Sequence, residues 1–133
     1  RRMTSCERCR ACSNNCPTRA IRPDRNLIDA GRCLTLYNET DSSVPFPDWL
    51  DPRAHNALIG CMRCQAACPA NRACLGMLTD EVEFDEAETR ALLDGVPFDE
   101  LPEATRKKAR VLAMDTYYEP IARNLRALLE KPS

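Results

Sequence analysis

Apolar residues fall at helical spacing most clearly near the end of the chain. Over roughly residues 119–130, Ile121, Leu125 and Leu128 share one face, and Pro120 suits the first turn of such a helix. Upstream, Pro102 suits a first helical position, and Ala109, Leu112 and Ala113 follow it on one face. Earlier still, Asp85 with Glu88 three residues on predicts a capped helix start. Leu92 and Leu93 are then expected to be buried, with Gly95 ending the turn. From Phe84 onward the pattern is that of helices, in a stretch without cysteine.

The first part of the chain has no such period. Ala20-Ile21 and the pair Leu27-Ile28 predict two short strands or extended arms around a turn at Pro23-Asp24. Leu34, Leu36 and Tyr37 predict a short helix after Cys33, and Ala57 to Gly60 a helical lead-in to the next cysteines. Residues 38–56 hold three prolines among polar turn formers and predict a loop pinned by Phe46, Trp49 and Leu50. Tyr117, Tyr118, Arg123 and Asn124 are candidates for a partner surface, although core and capping roles come first. The fold class expected is α+β, mostly helices and loops: a two-cluster part over residues 1–78 and a helical extension over 79–133 that caps it. Only three Phe, three Tyr and one Trp are available, so an apolar core alone is thin. No apolar run approaches the roughly twenty residues that span a bilayer.

Cysteine changes this picture. Cys6 to Pro17 reads C-E-R-C-R-A-C-S-N-N-C-P, with two, two and three residues between successive thiols. Tetrahedral zinc has no use for a third thiol two residues on, whereas a cubane [4Fe–4S] cluster must be reached at three corners from one tight loop. In such runs the fourth thiol serves a second cluster. A second run follows, G-C-M-R-C-Q-A-A-C-P over Cys61, Cys64 and Cys68, but Leu58 stands where its first thiol belongs. Cys33, the one cysteine between the runs, is the natural replacement. The crossing rule then assigns Cys6, Cys9, Cys12 and Cys68 to the first cluster, and Cys16, Cys33, Cys61 and Cys64 to the second. Cys74 is left over and is expected to be a buried small hydrophobe, with exchange for Cys33 as the alternative. His55, the single histidine, is expected to be hydrogen-bonded rather than a ligand or proton donor.

A disulfide scaffold and structural zinc are the rival readings of nine cysteines. An odd count and two C-x3-C-P endings speak against both. Thiolates on iron need a reducing compartment, so the cytoplasm is the expected location. Residues 1–32 carry eight Arg against three acids, and residues 79–133 carry thirteen acids against eight bases. The basic start suits loop solvation and donation to sulfides, or an acidic or phosphate-bearing partner. Backbone N–H groups and the apolar residues Ile21, Leu34, Leu58, Ile59 and Met62 are expected to surround the clusters and tune them. No residue pair suits acid–base or nucleophilic catalysis.

The order C-x2-C-x2-C-x3-C-P-T-x-A-I, then I-D-A-x-R-C-L-T, then G-C-x-x-C-Q-x-x-C-P-x-N resembles the iron–sulfur domain of epoxyqueuosine reductase and related corrinoid-dependent reductases. Reductive dehalogenases share the layout more distantly. The resemblance covers about Cys6 to Asn71 and implies the same crossed ligand sets. It also implies clusters that pass single electrons to a cobalamin held by another domain or partner, fed by a flavodoxin- or ferredoxin-type donor, with a base in transfer RNA as substrate. Five residues precede Cys6 and Met does not begin the chain, so a fragment or isolated domain is expected. The readings to weigh are an electron-transfer module of a larger reductase, a free-standing ferredoxin-like carrier, and a cluster-stabilised RNA-binding module. In each of them metal holds the fold. Chelation in air is expected to unfold both motifs, and circular dichroism before and after treatment checks this.

Overall fold

In the computed structural model, which describes residues 4–22, 27–75, 77, 82–130 and 132, both cysteine runs wind around short helices. Helix α1 (Ala11–Asn14) carries Cys12; α2 (Leu34–Asn38) follows Cys33; α3 (Arg63–Ala66) carries Cys64; α4 (Arg72–Leu75) carries Cys74. Three longer helices follow, α5 (Glu86–Leu93), α6 (Glu103–Val111) and α7 (Ile121–Leu129). Helices α1 and α3 have 4 residues each, too short to persist alone, and they pack against each other. Each closes on a cysteine amide: Cys16 N–H donates to the Ser13 carbonyl and Cys68 N–H to that of Gln65. A proline follows each of those cysteines and prevents the helix from continuing.

The β part of the expected α+β class shrinks to one antiparallel bridge, Ile21 to Ile28, and no strand forms among the described residues. Asp29 N–H donates to the Ala20 carbonyl at 2.8 Å beside it. Leu27 and Ile28 stay 64% and 57% exposed, so burial does not drive further pairing there. The turn expected at Pro23-Asp24 lies outside the described residues. The helical lead-in expected over Ala57–Gly60 is absent. Gly60 (φ 65°) and Met62 (φ 54°) both take left-handed backbone, which bends the chain into α3. No helix among the described residues is long and apolar enough to cross a membrane.

Two apolar clusters form. Leu34, Leu50 and Ala54 are buried together, with Phe46 and Cys61 against them, so the loop over residues 38–56 is pinned by Phe46 and Leu50 as expected. Trp49 instead lies at the surface, edge-on to Tyr37 and under the Arg32 guanidinium. His55 is buried edge-on to Phe46. The second cluster joins Leu92, Leu101, Ala109, Met114 and Ile121, with Leu58 and Ile59 packed on it.

The expected cap at Asp85 is present as a reciprocal box. Asp85 accepts from Glu88 N–H at 2.8 Å, and Glu88 accepts from Asp85 N–H at 2.9 Å. The Glu88 carboxylate also takes Thr105 and Lys108 from α6, and chiefly the Lys108 bond holds its pKa below the usual value. Helix α5 ends as expected at Gly95 (φ 70°), whereas α6 ends earlier than the apolar pattern implies. Ala113 takes φ 54°, its N–H meets the Arg110 carbonyl, and Met114 N–H meets that of Ala109. That is a Schellman stop made without glycine. It exposes Leu112 and Ala113 and buries Met114 in their place. Pro102 and Pro120 sit one position before their helices.

Arg123 and Asn124 form an internal clamp, not an outer surface. Asn124, 1% exposed, donates to the Asn38 carbonyl at 2.8 Å and the Leu58 carbonyl at 2.7 Å. Asn38, fully buried, donates to the carbonyls of Ala57 (3.1 Å) and Gly60 (2.7 Å). Arg123 reaches the carbonyls of Tyr37, Thr40, Asp41 and Val44, with its guanidinium over the Phe46 ring. Burial lowers its pKa, but not far enough to unload the charge.

Asn124→Ala strands one buried and one part-buried carbonyl, and it is expected to cost roughly 2–4 kcal/mol of stability. Ala113→Gly is expected to add about 0.5–1 kcal/mol, the left-handed penalty less the extra freedom of glycine in the unfolded chain. Denaturant melts of the metal-loaded chain check both.

Candidate metal centre

Because α1 and α3 lie side by side, thiols from both cysteine runs meet at one cavity of about 290 Å³. Cys6, Cys9, Cys12 and Cys68 line it, the four thiols expected to hold one cluster. Cys64 lines it as well, and Ile21, Leu27 and Ile28 supply apolar wall. Arg10 and Arg22 stand at the lining, and among the described residues no carboxylate does. Arg10 also donates to the Cys9 carbonyl at 2.9 Å, so part of the basic start braces its own loop. Cys16 lies next door, in a cavity of about 410 Å³ that shares Ser13, Ile21 and Arg22 with the first.

Within the second expected set, Cys64 lies close enough to Cys61 and Cys16 to feel both. Burial raises the Cys64 pKa first, and the neighbouring Cys61 and Cys16 raise it further. Cys61 packs against the cluster of Leu34, Leu50 and Ala54. Cys33 is the N-cap of α2, directly before buried Leu34, and lines neither cavity. Burial pushes the Cys16 thiol up, but hydrogen bonds from Ile21, Thr18 and Ala20 outweigh it and leave the thiol lowered. Ala20 N–H donates to Cys16 Sγ at 3.2 Å, and the Asn56 amide donates to Cys61 Sγ at 3.3 Å. A lowered thiol with N–H groups aimed at sulfur is a site prepared for a thiolate ligand.

Among the described residues, no three His, Cys, Asp or Glu side chains converge as ligands of a single ion. The thiols instead line the walls of a cavity. A donor set made of thiols fits a cube of iron and sulfide in chemistry.

Two expectations about the surroundings change. Cys74 is exposed on α4 and lines neither cavity, because its helix carries no buried face. Of the apolar shell, Ile21 lines the cavity and Leu34 packs near Cys61, whereas Leu58 and Ile59 belong to the C-terminal core and Met62 is 64% exposed. Asn56 is the residue that spacing does not reveal. Its one signal is an amide side chain standing directly before the apolar lead-in to Cys61.

Comparison with known proteins agrees with this chemistry. The 4Fe-4S double cluster binding domain family matches residues 5–71. Epoxyqueuosine reductase of Shewanella oneidensis is 38% identical over 79 residues, 59% of this chain and 19% of that protein. The Escherichia coli enzyme of the same name is 38% identical over 79 residues, covering 59% of this chain and 20% of its own length. That of Vibrio cholerae is 34% identical over 100 residues, or 75% and 26%. The chain thus spans about a fifth to a quarter of the length of these relatives. No solved structure matches. Thiols of two separated runs, gathered at one cavity and inside the matched span, place the chain in the 4Fe-4S double cluster binding domain family, as an iron–sulfur domain related to epoxyqueuosine reductase.

Proposed function

We propose that the chain is an electron-transfer module with two [4Fe–4S] clusters, serving a larger reductase of the epoxyqueuosine reductase type. The observation that carries this reading is the meeting of Cys6, Cys9 and Cys12 with the distant Cys68 around one cavity. Cys16, Cys33, Cys61 and Cys64 are the ligands of the other cluster. Bound at these thiolates, such a cluster takes up and releases one electron at a time.

The protein's own residues set the conditions for that exchange. All-thiolate ligation concentrates negative charge and favours low potentials, which N–H donors at sulfur moderate. Ile21, Leu27 and Ile28 keep an apolar wall at the first cavity. Residues 1–78 act as the two-cluster, ferredoxin-like part. Residues 79–133 act as a helical cap, which the Arg123–Asn124 clamp attaches to the loops leading to Cys61. Electrons come from a flavodoxin- or ferredoxin-type carrier and leave for a corrinoid held elsewhere in the enzyme or by a partner. Thiolate ligation requires a reducing compartment, the cytoplasm. The modified base that gives the relatives their name is the proposed final substrate.

Anaerobic purification is expected to yield about eight irons per chain, with two paramagnetic signals on reduction. One or two zinc ions in their place would refute the reading. Cys33→Ala is expected to abolish one signal, while Cys74→Ala leaves both intact. A corrinoid acceptor is expected to reoxidise the reduced chain in one-electron steps. A chain that stays reduced in its presence would exclude that acceptor.

A further inference from the structure

We infer that Asn56 sets the reduction potential of the second cluster through its hydrogen bond to Cys61; this rests on the assignment of Cys61 as a ligand. The Asn56 amide nitrogen lies 3.3 Å from Cys61 Sγ and 2.8 Å from the Ala54 carbonyl oxygen. An amide NH2 has two hydrogens, so each partner takes one and the group is fully used. Rotating the amide would place its oxygen against both a carbonyl and a thiolate, two repulsions in place of two bonds. The environment therefore dictates which end faces the sulfur.

The anchor is itself rigid. Ala54 is buried with Leu34 and Leu50, against which Cys61 also packs. It ends the turn Pro52–Ala54, which Asp51 caps by accepting from Arg53 N–H at 2.9 Å. Asn56 and Cys61 are thus held from the same apolar cluster, and the donor keeps a fixed distance to the sulfur. Asn56 makes no cross-chain bridge of the kind made by Asn38 and Asn124. Its amide donates to the sulfur and to the local carbonyl that aims it.

An N–H dipole pointed at a ligand sulfur stabilises the more negative, reduced cluster more than the oxidised one, so it raises the potential. Asn56 touches sulfur and not the reacting electron acceptor, which makes it a positioning and tuning residue.

The test uses the anaerobically loaded chain and redox titration followed by electron paramagnetic resonance. The second cluster's signal is identified as the one lost in Cys61→Ser. Asn56→Leu removes the donor and is expected to shift that cluster's reduction equilibrium about tenfold toward the oxidised form, or ~59 mV downward for a one-electron couple. The other cluster keeps its potential. Asn56→Asp keeps the shape but puts negative charge beside the sulfur, so it is expected to shift the potential further than Leu does. A packing role predicts the reverse order, because Asp is the closer match in size. The inference is overturned if the potential stays put in both variants, if both clusters move together, if Leu shifts it more than Asp, or if both variants lose the second signal. An iron count well short of eight in the unsubstituted chain, or no signal sensitive to Cys61→Ser, would instead sink the underlying ligand assignment.

Discussion

The first and second cysteine runs hold each other in place. Neither α1 nor α3 is long enough to be stable alone, and neither has a buried residue. What fixes them is their mutual packing, which brings Cys68 of the second run to the cavity of Cys6, Cys9 and Cys12. On the proposed assignment, ligands drawn from both runs make the bound group a cross-link, so its binding energy is folding energy. The small aromatic content no longer puzzles in that light. The buried apolar residues near the cysteines are few, chiefly Ala20, Leu34, Leu50 and Ala54, because thiolate bonds do the joining that an apolar core does elsewhere.

The C-terminal helices solve the converse problem. They have ordinary apolar packing around Leu92, Ala109 and Ile121, but they must attach to a region that offers little apolar surface. Attachment is made through backbone carbonyls. The sharp bends at Gly60 and Met62 and the loop after α2 leave many carbonyls without helix or sheet partners, and Asn38, Arg123 and Asn124 supply the donors. A guanidinium offers five donors in a rigid fork, so one Arg123 can serve four carbonyls that no regular structure could reach together. Ser42 adds a contact from the other direction, through its N–H and hydroxyl to Glu119.

The spacing of the cysteines made the candidate site legible, because ligand spacing is a geometric code and survives without any knowledge of the fold. Helical caps were legible for the same reason: Asp85 and Glu88 act within one turn. What stayed hidden depends on contacts distant in sequence. Asn38, Asn56 and Asn124 have no periodic signature, and an asparagine in a polar loop looks the same whether it faces water or a buried carbonyl. The end of α6 was misread since alanine at position 113 favours helix, yet burial of Met114 outweighs that preference and holds Ala113 in left-handed backbone. The strands around residues 21 and 28 failed to develop for want of anything to cover Leu27 and Ile28.

The two halves of the site therefore differ in kind. Around the first cavity the wall includes exposed Leu27 and Ile28 and the side chains of Arg10 and Arg22, so solvent comes close to it. Around Cys61 the wall is the buried trio of Leu34, Leu50 and Ala54, with donors set by backbone and by Asn56. Electrostatic interactions are screened at the first place and strong at the second. A fixed N–H dipole consequently has more influence on a thiolate at Cys61 than an exposed arginine has on Cys9. Fine adjustment of such a centre by single side chains belongs where a donor is held by packed neighbours, and in this chain that place is the Cys61 side.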